Sequence, residues 1–325
     1  MALFDLPIAE LRQYRRPPSV PADLDGFWAG TLAETRAAAT PTAIEPHQTP
    51  LTGVRTYDVT FSGYAGQPIK AWLNVPAGAT GDLPVVVEFI GYGGGRGSPL
   101  EWLLWPAAGF ATLVMDTRGQ GGGHRSGDTP DPGPDGSGPS VPGFLTRGVL
   151  DPAAYYYRRL FADAARAVEV AAELPGVDGG RLAVSGGSQG GALALAAGSL
   201  VPERVRAVVA GVPFLCDIRR AITITDGDPY AELVRFFKTH PDKAARALAT
   251  VDYIDLTNLV PRATAPALFS VGLMDDICPP STVFAAFNEY GGADKDIAVF
   301  DWAGHEGGRL HFAHRALEFV HGILA

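Results

Sequence analysis

The 325-residue sequence predicts an α/β fold, with a mostly parallel central sheet covered by helices on both faces and a helical insertion. Three observations predict it. Short, dense apolar runs recur at 84–90, 110–116, 181–186, 205–212, 265–272 and 296–302, and such runs suit strands buried on both faces. Helix-compatible stretches separate them, most clearly AAYYYRRLFADAARAVEVAAEL at 153–174 and GGALALAAGSL at 190–200. The length and the 46% apolar fraction suffice for one large core, so the chain reads as a single domain over 1–325.

Taken in order, residues 1–45 read as peripheral helices, with Leu24, Phe27, Trp28 and Leu32 at helical spacing. From 54 to 76 the period changes to two. Tyr57, Val59 and Phe61 alternate with polar residues, as do Ile69, Ala71, Leu73 and Val75, and SGYAGQ between them reads as a hairpin loop. Residues 119–143 form a long Gly/Pro loop, of a length that usually carries function or contacts. Residues 214–262 insert a largely helical stretch between two strands, placed to serve as a lid or pocket wall. There is no internal repeat.

The formal net charge of −9 argues against a nucleic-acid partner, which needs a basic face to neutralise phosphate. It fits a protein acting on neutral or cationic small molecules. Two cysteines, Cys216 and Cys278, make no disulfide framework. The start, MALFDLPIAELRQYRR, does not resemble a signal peptide, and no stretch approaches the ~20 apolar residues of a membrane helix. A cytoplasmic location without membrane attachment is the expectation.

The chemistry centres on LAVSGGSQGGALALAAG at 182–198. Gly186-Gly187-Ser188-Gln189-Gly190 satisfies G-x-S-x-G between a candidate strand and a candidate helix, the setting of a nucleophile elbow. A sharp strand-to-helix turn strains the serine backbone, and neighbours without side chains avoid a clash. The alternative is a plain turn that needs small residues. A serine hydroxyl needs a base to become nucleophilic, and in such folds the acid and then the histidine follow the serine along the chain. Of the seven histidines, His47 and His124 precede Ser188, His240 lies in the insertion, and His311, His314 and His321 fall on the last helix. His305 alone follows a strand directly, in the glycine-flanked loop AGHEGG. His311 and His314 have metal-ligand spacing but no evident third ligand, so no metal and no cofactor is expected.

For the orienting acid, GLMDDICPP offers Asp275 and Asp276, and Asp275, first after the strand, is favoured. The oxyanion needs two backbone donors. They are expected at Gln189, directly after the nucleophile, and at Tyr92 in the loop GYGGGRG. Neither this loop nor RGQGGG matches G-x-G-x-x-G, which leaves the nucleotide alternative weak.

With these residues in place, MDTRGQGGG (115–123), GGSQGG (186–191), GLMDDICPPSTVFAA (272–286) and GHEGG (304–308) occur in the order of a known family. FDLP (4–7), YDVTFSGYAGQPIKAWL (57–73), TRGVLDPAAYYYRR (146–159) and VPFLCDIRRA (212–221) extend the likeness over almost the whole chain. The sequence resembles the acetyl xylan esterase and cephalosporin C deacetylase family of carbohydrate esterases. The resemblance implies an α/β-hydrolase fold and release of acetate from small oxygen esters, such as acetylated xylo-oligosaccharides and cephalosporin C. It also implies a cytoplasmic homohexamer. On the family pattern the catalytic roles fall on Ser188, Asp275 and His305, with Tyr92 and Gln189 at the oxyanion hole. Asp276 is a departure, because asparagine is expected there in many members. Arg118 of RGQ is expected to form an ion pair tying the loop near the elbow rather than to act in catalysis. Phe214, Ile277 and Cys278 are expected either to line a small acyl pocket or to pack in the core.

Overall fold

The structure is a computed structural model that describes residues 3–132 and 142–324. Its strands are β1 (Ala43–His47), β2 (Val54–Ser62), β3 (Pro68–Pro76), β4 (Leu83–Phe89), β5 (Ala111–Met115), β6 (Val177–Gly187), β7 (Ala207–Gly211), β8 (Ala267–Gly272) and β9 (Lys295–Phe300). They form one sheet in the order β1-β2-β3-β5-β4-β6-β7-β8-β9. The β1–β2, β2–β3 and β3–β5 pairs are antiparallel, and every later pair is parallel.

Helices α1 (Ile8–Leu11) and α2 (Leu24–Ala37) precede the sheet, α3 (Leu104–Ala107) follows β4, and α4 (Tyr156–Ala171) and α5 (Gln189–Leu200) flank β6. The insertion between β7 and β8 contains α6 (Ile218–Ile224), α7 (Tyr230–Thr239), α8 (Ala244–Val251) and α9 (Leu256–Leu259). Helix α10 (Pro280–Glu289) links β8 to β9, and α11 (Arg309–Leu324) ends the chain.

The two layers explain why the central strands are apolar at every position. Val85, Val87, Leu182, Val184, Val208 and Ala210 face the main core with α4 and α5. The residues between them, Val86, Ala183, Ala207 and Val209, face the layer formed by Trp105 of α3 and by Ala316 and Val320 of α11. Each fully buried valine contributes about 1.5–3 kcal/mol relative to exposure, and alternation cannot appear when both faces are covered.

Two expectations need correction. The segment read as peripheral helices over 1–45 contains two helices but ends in β1, an edge strand pairing Ala43 with Thr60. Its sequence AIEPH is mostly exposed and carries Pro46, which an edge strand tolerates. It therefore lacks the apolar pattern that marked the other strands. The strand expected at 181–186 starts at Val177, with a register shift between the Leu83 and Val85 pairings. Within α2, Leu24, Trp28 and Leu32 are buried as the spacing implied, and Trp28 Nε1 donates to the Tyr253 carbonyl of the insertion at 2.9 Å. Of the long loop at 119–143, residues 133–141 lie outside the described residues.

Candidate active site

The carboxyl ends of the parallel strands deliver the candidate residues to one rim, where ligands generally bind in open α/β sheets. Tyr92 follows β4, Ser188 follows β6, Asp275 follows β8 and His305 follows β9.

Ser188 sits between β6 and α5 with φ 58° and ψ −120°, a strained conformation for a residue with a side chain. Its N–H donates to the Gly211 carbonyl at 2.8 Å, and its carbonyl accepts the Phe214 N–H at 3.0 Å. The motif glycines are demanded by close approach. A Cβ on Gly186 would stand 2.4 Å from the Gly190 backbone, and one on Gly190 would stand 2.3 Å from the Phe89 carbonyl oxygen. Gly187, at the variable position, has no such contact; a Cβ there comes only within 4.0 Å of the Gly211 oxygen.

His305 Nε2 lies 2.9 Å from Ser188 Oγ, and His305 Nδ1 lies 2.9 Å from Asp275 Oδ2. Asp275 is fully buried. Its second oxygen accepts the N–H groups of Ile277 and Cys278, both at 2.9 Å. Every acceptor of this carboxylate is thus directed, and the ring it faces is held in one plane. The imidazole itself is 27% exposed, open to a substrate. Asp276 is exposed, and its carbonyl accepts from the Thr225 hydroxyl.

Two cavities adjoin Ser188 and His305. One, of about 380 Å³, is lined by Gly91, Tyr92, Pro142, Pro229 and Ile277. The other, of about 330 Å³, lies behind the elbow between the sheet and α11. Glu88 faces it, accepting from Trp105 Nε1 at 2.9 Å, and burial raises its carboxyl above the ordinary value. Of the residues expected to form an acyl pocket, Ile277 lines the first cavity. Phe214 is fully buried behind Tyr92 and Tyr230, with ring centroids 6.1 and 4.6 Å away. Cys278 is buried beside Ser188, and burial pushes its thiol well above the usual range, which disfavours a thiolate.

Arg118 is buried among carboxylates. Its Nη2 donates to Asp163 Oδ1 at 2.8 Å and its Nη1 to Asp131 Oδ1 at 3.2 Å. This is the ion pair expected of RGQ. Sequence reasoning missed the role of its neighbour. Gln120 Nε2 donates to Gln189 Oε1 at 2.9 Å and to the Tyr156 hydroxyl at 3.0 Å, while Gln120 Oε1 accepts the Gly93 N–H at 2.7 Å. Gln189, directly after Ser188, and the loop after β4 are therefore joined through one amide side chain. Glu232 of α7 was also missed; it accepts from the Tyr92 hydroxyl at 2.6 Å. The RGQ motif offered a signal for Gln120, whereas YAELVRFF offered none for Glu232.

Among the described residues no cluster of histidine, cysteine, aspartate and glutamate is arranged to hold a metal ion, and no helix is long and apolar enough to cross a membrane.

The family model described as acetyl xylan esterase matches residues 1–323. The chain is 36% identical to an acetyl xylan esterase from Paenibacillus sp. R4, with a TM-score of 0.89 and coverage of 98% of this chain and 100% of that one. It is 34% identical to acetyl xylan esterase 1 from Thermoanaerobacterium sp. JW/SL YS485, with a TM-score of 0.89 and coverage of 99% and 100%. It is 29% identical over 281 residues to the acetyl esterase Axe7A of Xylanibacter ruminicola, covering 82% of this chain and spanning 60% of that relative's length.

Proposed function

The chain belongs to the acetyl xylan esterase family, and on that premise we propose that it is a carboxylic ester hydrolase that removes acetyl groups from small oxygen esters by an acyl-enzyme route. The observation that carries the reading is the continuous hydrogen-bonded line from Ser188 Oγ through His305 to Asp275, beside a cavity lined by Tyr92 and Ile277.

In this reading Ser188 Oγ attacks the acetyl carbonyl carbon while His305 Nε2 takes the hydroxyl proton. Asp275 fixes the imidazole tautomer and stabilises the imidazolium; it does not take the proton. The carbonyl oxygen becomes an oxyanion, held by the backbone N–H groups of Tyr92 and Gln189, with the α5 N-terminus behind it. Collapse expels the alcohol, which receives the proton from His305. Water, deprotonated by the same imidazole, then releases acetate and restores Ser188.

Ile277 gives the acyl group an apolar wall, while Cys278 and Phe214 are buried, Phe214 against Tyr92. Acetylated xylo-oligosaccharides and cephalosporin C are the proposed substrates. The working form is proposed to be a cytoplasmic homohexamer; light scattering that gives fewer than six chains per particle, or fractionation that puts the protein outside the cytoplasm, would remove that part.

The test is an acyl-length series on small esters, run on the native protein and on Ser188→Ala. Acetyl esters should be cleaved fastest, and the variant should lose on the order of 10⁴-fold or more in turnover. A variant that keeps near-normal acetyl-ester hydrolysis ends the reading. Preferential cleavage of aminoacyl amides, or acyl transfer to an added alcohol in place of hydrolysis, would instead support a peptidase or an acyltransferase on the same scaffold.

A further inference from the structure

The loop proposed to supply one oxyanion donor reads Gly91-Tyr92-Gly93-Gly94-Gly95. A run of glycines has large conformational freedom, yet an oxyanion donor must be held to about half an ångström to be effective. Tyr92 is the only residue in this stretch with a side chain by which the loop can be gripped. Its hydroxyl is where three distant segments meet. It donates to Glu232 Oε1 at 2.6 Å and accepts the N–H groups of Gly143 and Phe144 at 3.1 and 2.9 Å. Glu232 Oε2 accepts the Leu145 N–H at 3.0 Å. The Phe144 ring meets the Tyr92 ring edge-on at 5.7 Å.

Glu232 is a costly residue in this place. It is only 7% exposed, and both its oxygens are taken by neutral donors. A buried carboxylate so placed does not repay its desolvation with an ion pair. Burial accordingly raises its carboxyl above the usual range, and the Tyr92 hydroxyl is raised with it. Its two oxygens are spaced to hold the phenol and the Leu145 amide at once, which one neutral acceptor cannot do. On the other side of the loop, Gln120 holds the Gly93 N–H. The peptide between Gly91 and Tyr92 is thereby fixed from a side chain on one flank and from the following residue on the other.

We propose that Glu232 is a positioning residue for the reaction: by clamping the phenol of Tyr92 it fixes the direction of the Tyr92 backbone N–H, and so couples the helical insertion to oxyanion stabilisation. The inference rests on the reading of Tyr92 as an oxyanion donor. Glu232 touches neither substrate nor nucleophile. A loosened donor stabilises the tetrahedral state less and leaves ester binding nearly unchanged, so the loss belongs in kcat.

The experiment compares Glu232→Ala, Glu232→Gln, Tyr92→Phe and the double variant Tyr92→Phe/Glu232→Ala with the native enzyme on an acetyl ester. Affinity for phenylboronic acid, which accepts Ser188 Oγ and places a boron-bound oxygen at the oxyanion position, is measured in parallel. Glu232→Ala should lower kcat about 10- to 100-fold, below the full cost of deleting an oxyanion donor, with KM changing less than about threefold. The boronic acid should weaken by a similar factor. Tyr92→Phe should lose as much as Glu232→Ala, and the double variant should lose no more than either alone. Glu232→Gln keeps one acceptor for the phenol and should recover part of the rate. Unchanged kcat and boronic-acid affinity in folded Glu232→Ala, or losses that multiply in the double variant, would overturn the proposal. If Glu232→Ala does not fold, Tyr92→Phe and Glu232→Gln decide by the same readouts. A native enzyme without acetyl-ester activity, or an active Ser188→Ala, would fail the underlying reading itself, an outcome separable from these.

Discussion

The two sides of the candidate site are built by different physics. On the nucleophile side, position is set by backbone packing. Gly186 and Gly190 let β6 and α5 approach so closely that a methyl group on either would overlap main-chain atoms. Ser188 is held in its positive-φ conformation by backbone hydrogen bonds to Gly211 and Phe214. On the side proposed to hold the oxyanion, position is set by side chains. Tyr92, Glu232, Gln120 and Gln189 come from four separate segments and are linked through hydrogen bonds. The comparison teaches that a sterically fixed serine and a hydrogen-bonded loop can share one rim. A steric scaffold fails abruptly when altered, whereas a hydrogen-bonded one weakens in steps.

The buried ion pairs around Arg118 offer the largest break. Arg118→Met would leave Asp163, itself almost fully buried, without its guanidinium partner. Breaking a buried pair this way typically costs about 3–5 kcal/mol, and denaturant titration should show a loss of that size. A loss near zero would mean that the Arg118 cluster does not brace the loop.

The elbow comes next. Gly190→Ala forces a Cβ against the Phe89 carbonyl, and overpacking of a rigid site costs about 1–3 kcal/mol. Acetyl-ester turnover should fall together with stability, because the strand-to-helix turn must open. Gly187→Ala is the matched control. Its Cβ has room, so stability should change by no more than about 0.5 kcal/mol. Equal destabilisation of the two would dissolve the distinction between the steric and the variable positions of the motif.

The smallest effect is in the acid limb of stability. Burial alone would raise the Asp131 carboxyl, but Arg159 and Arg118 outweigh it and hold it below the ordinary carboxylate value. A folded value below the unfolded one, which is near 3.9 for aspartate, stabilises the fold above that pH. The contribution disappears as pH falls through the lower folded value. Asp131→Asn should therefore flatten the decline of the thermal midpoint below about pH 4 relative to the native protein. A decline as steep in the variant would show that other carboxylates set the acid limb.

Particular residues show how far the sequence could be read. Ser188 was legible because its glycines and its place between an apolar run and an alanine-rich run are local features. His305 and Asp275 were legible because each follows a strand, and chain order limits which candidates can reach the serine. The edge strand β1 was not legible, since an exposed pairing needs no apolar pattern. Phe214 was legible only as far as two alternatives, a pocket wall or core packing, and it packs in the core against Tyr230. A residue just past a strand end can face either way, and only the packed structure settles which.

By itself the sequence determined the strands other than β1 and the strand-to-helix turn at Ser188, because periodicity and backbone sterics act over a few residues at a time. Tertiary structure alone decided that Glu232 grips Tyr92 from 140 positions away and that Gln120 pairs with Gln189 across 69. A polar side chain can bond to any complementary group brought within reach, so its sequence carries its capacity to bond but not the identity of its partner. That identity is fixed only when apolar burial has folded the chain and left those groups, desolvated, facing one another.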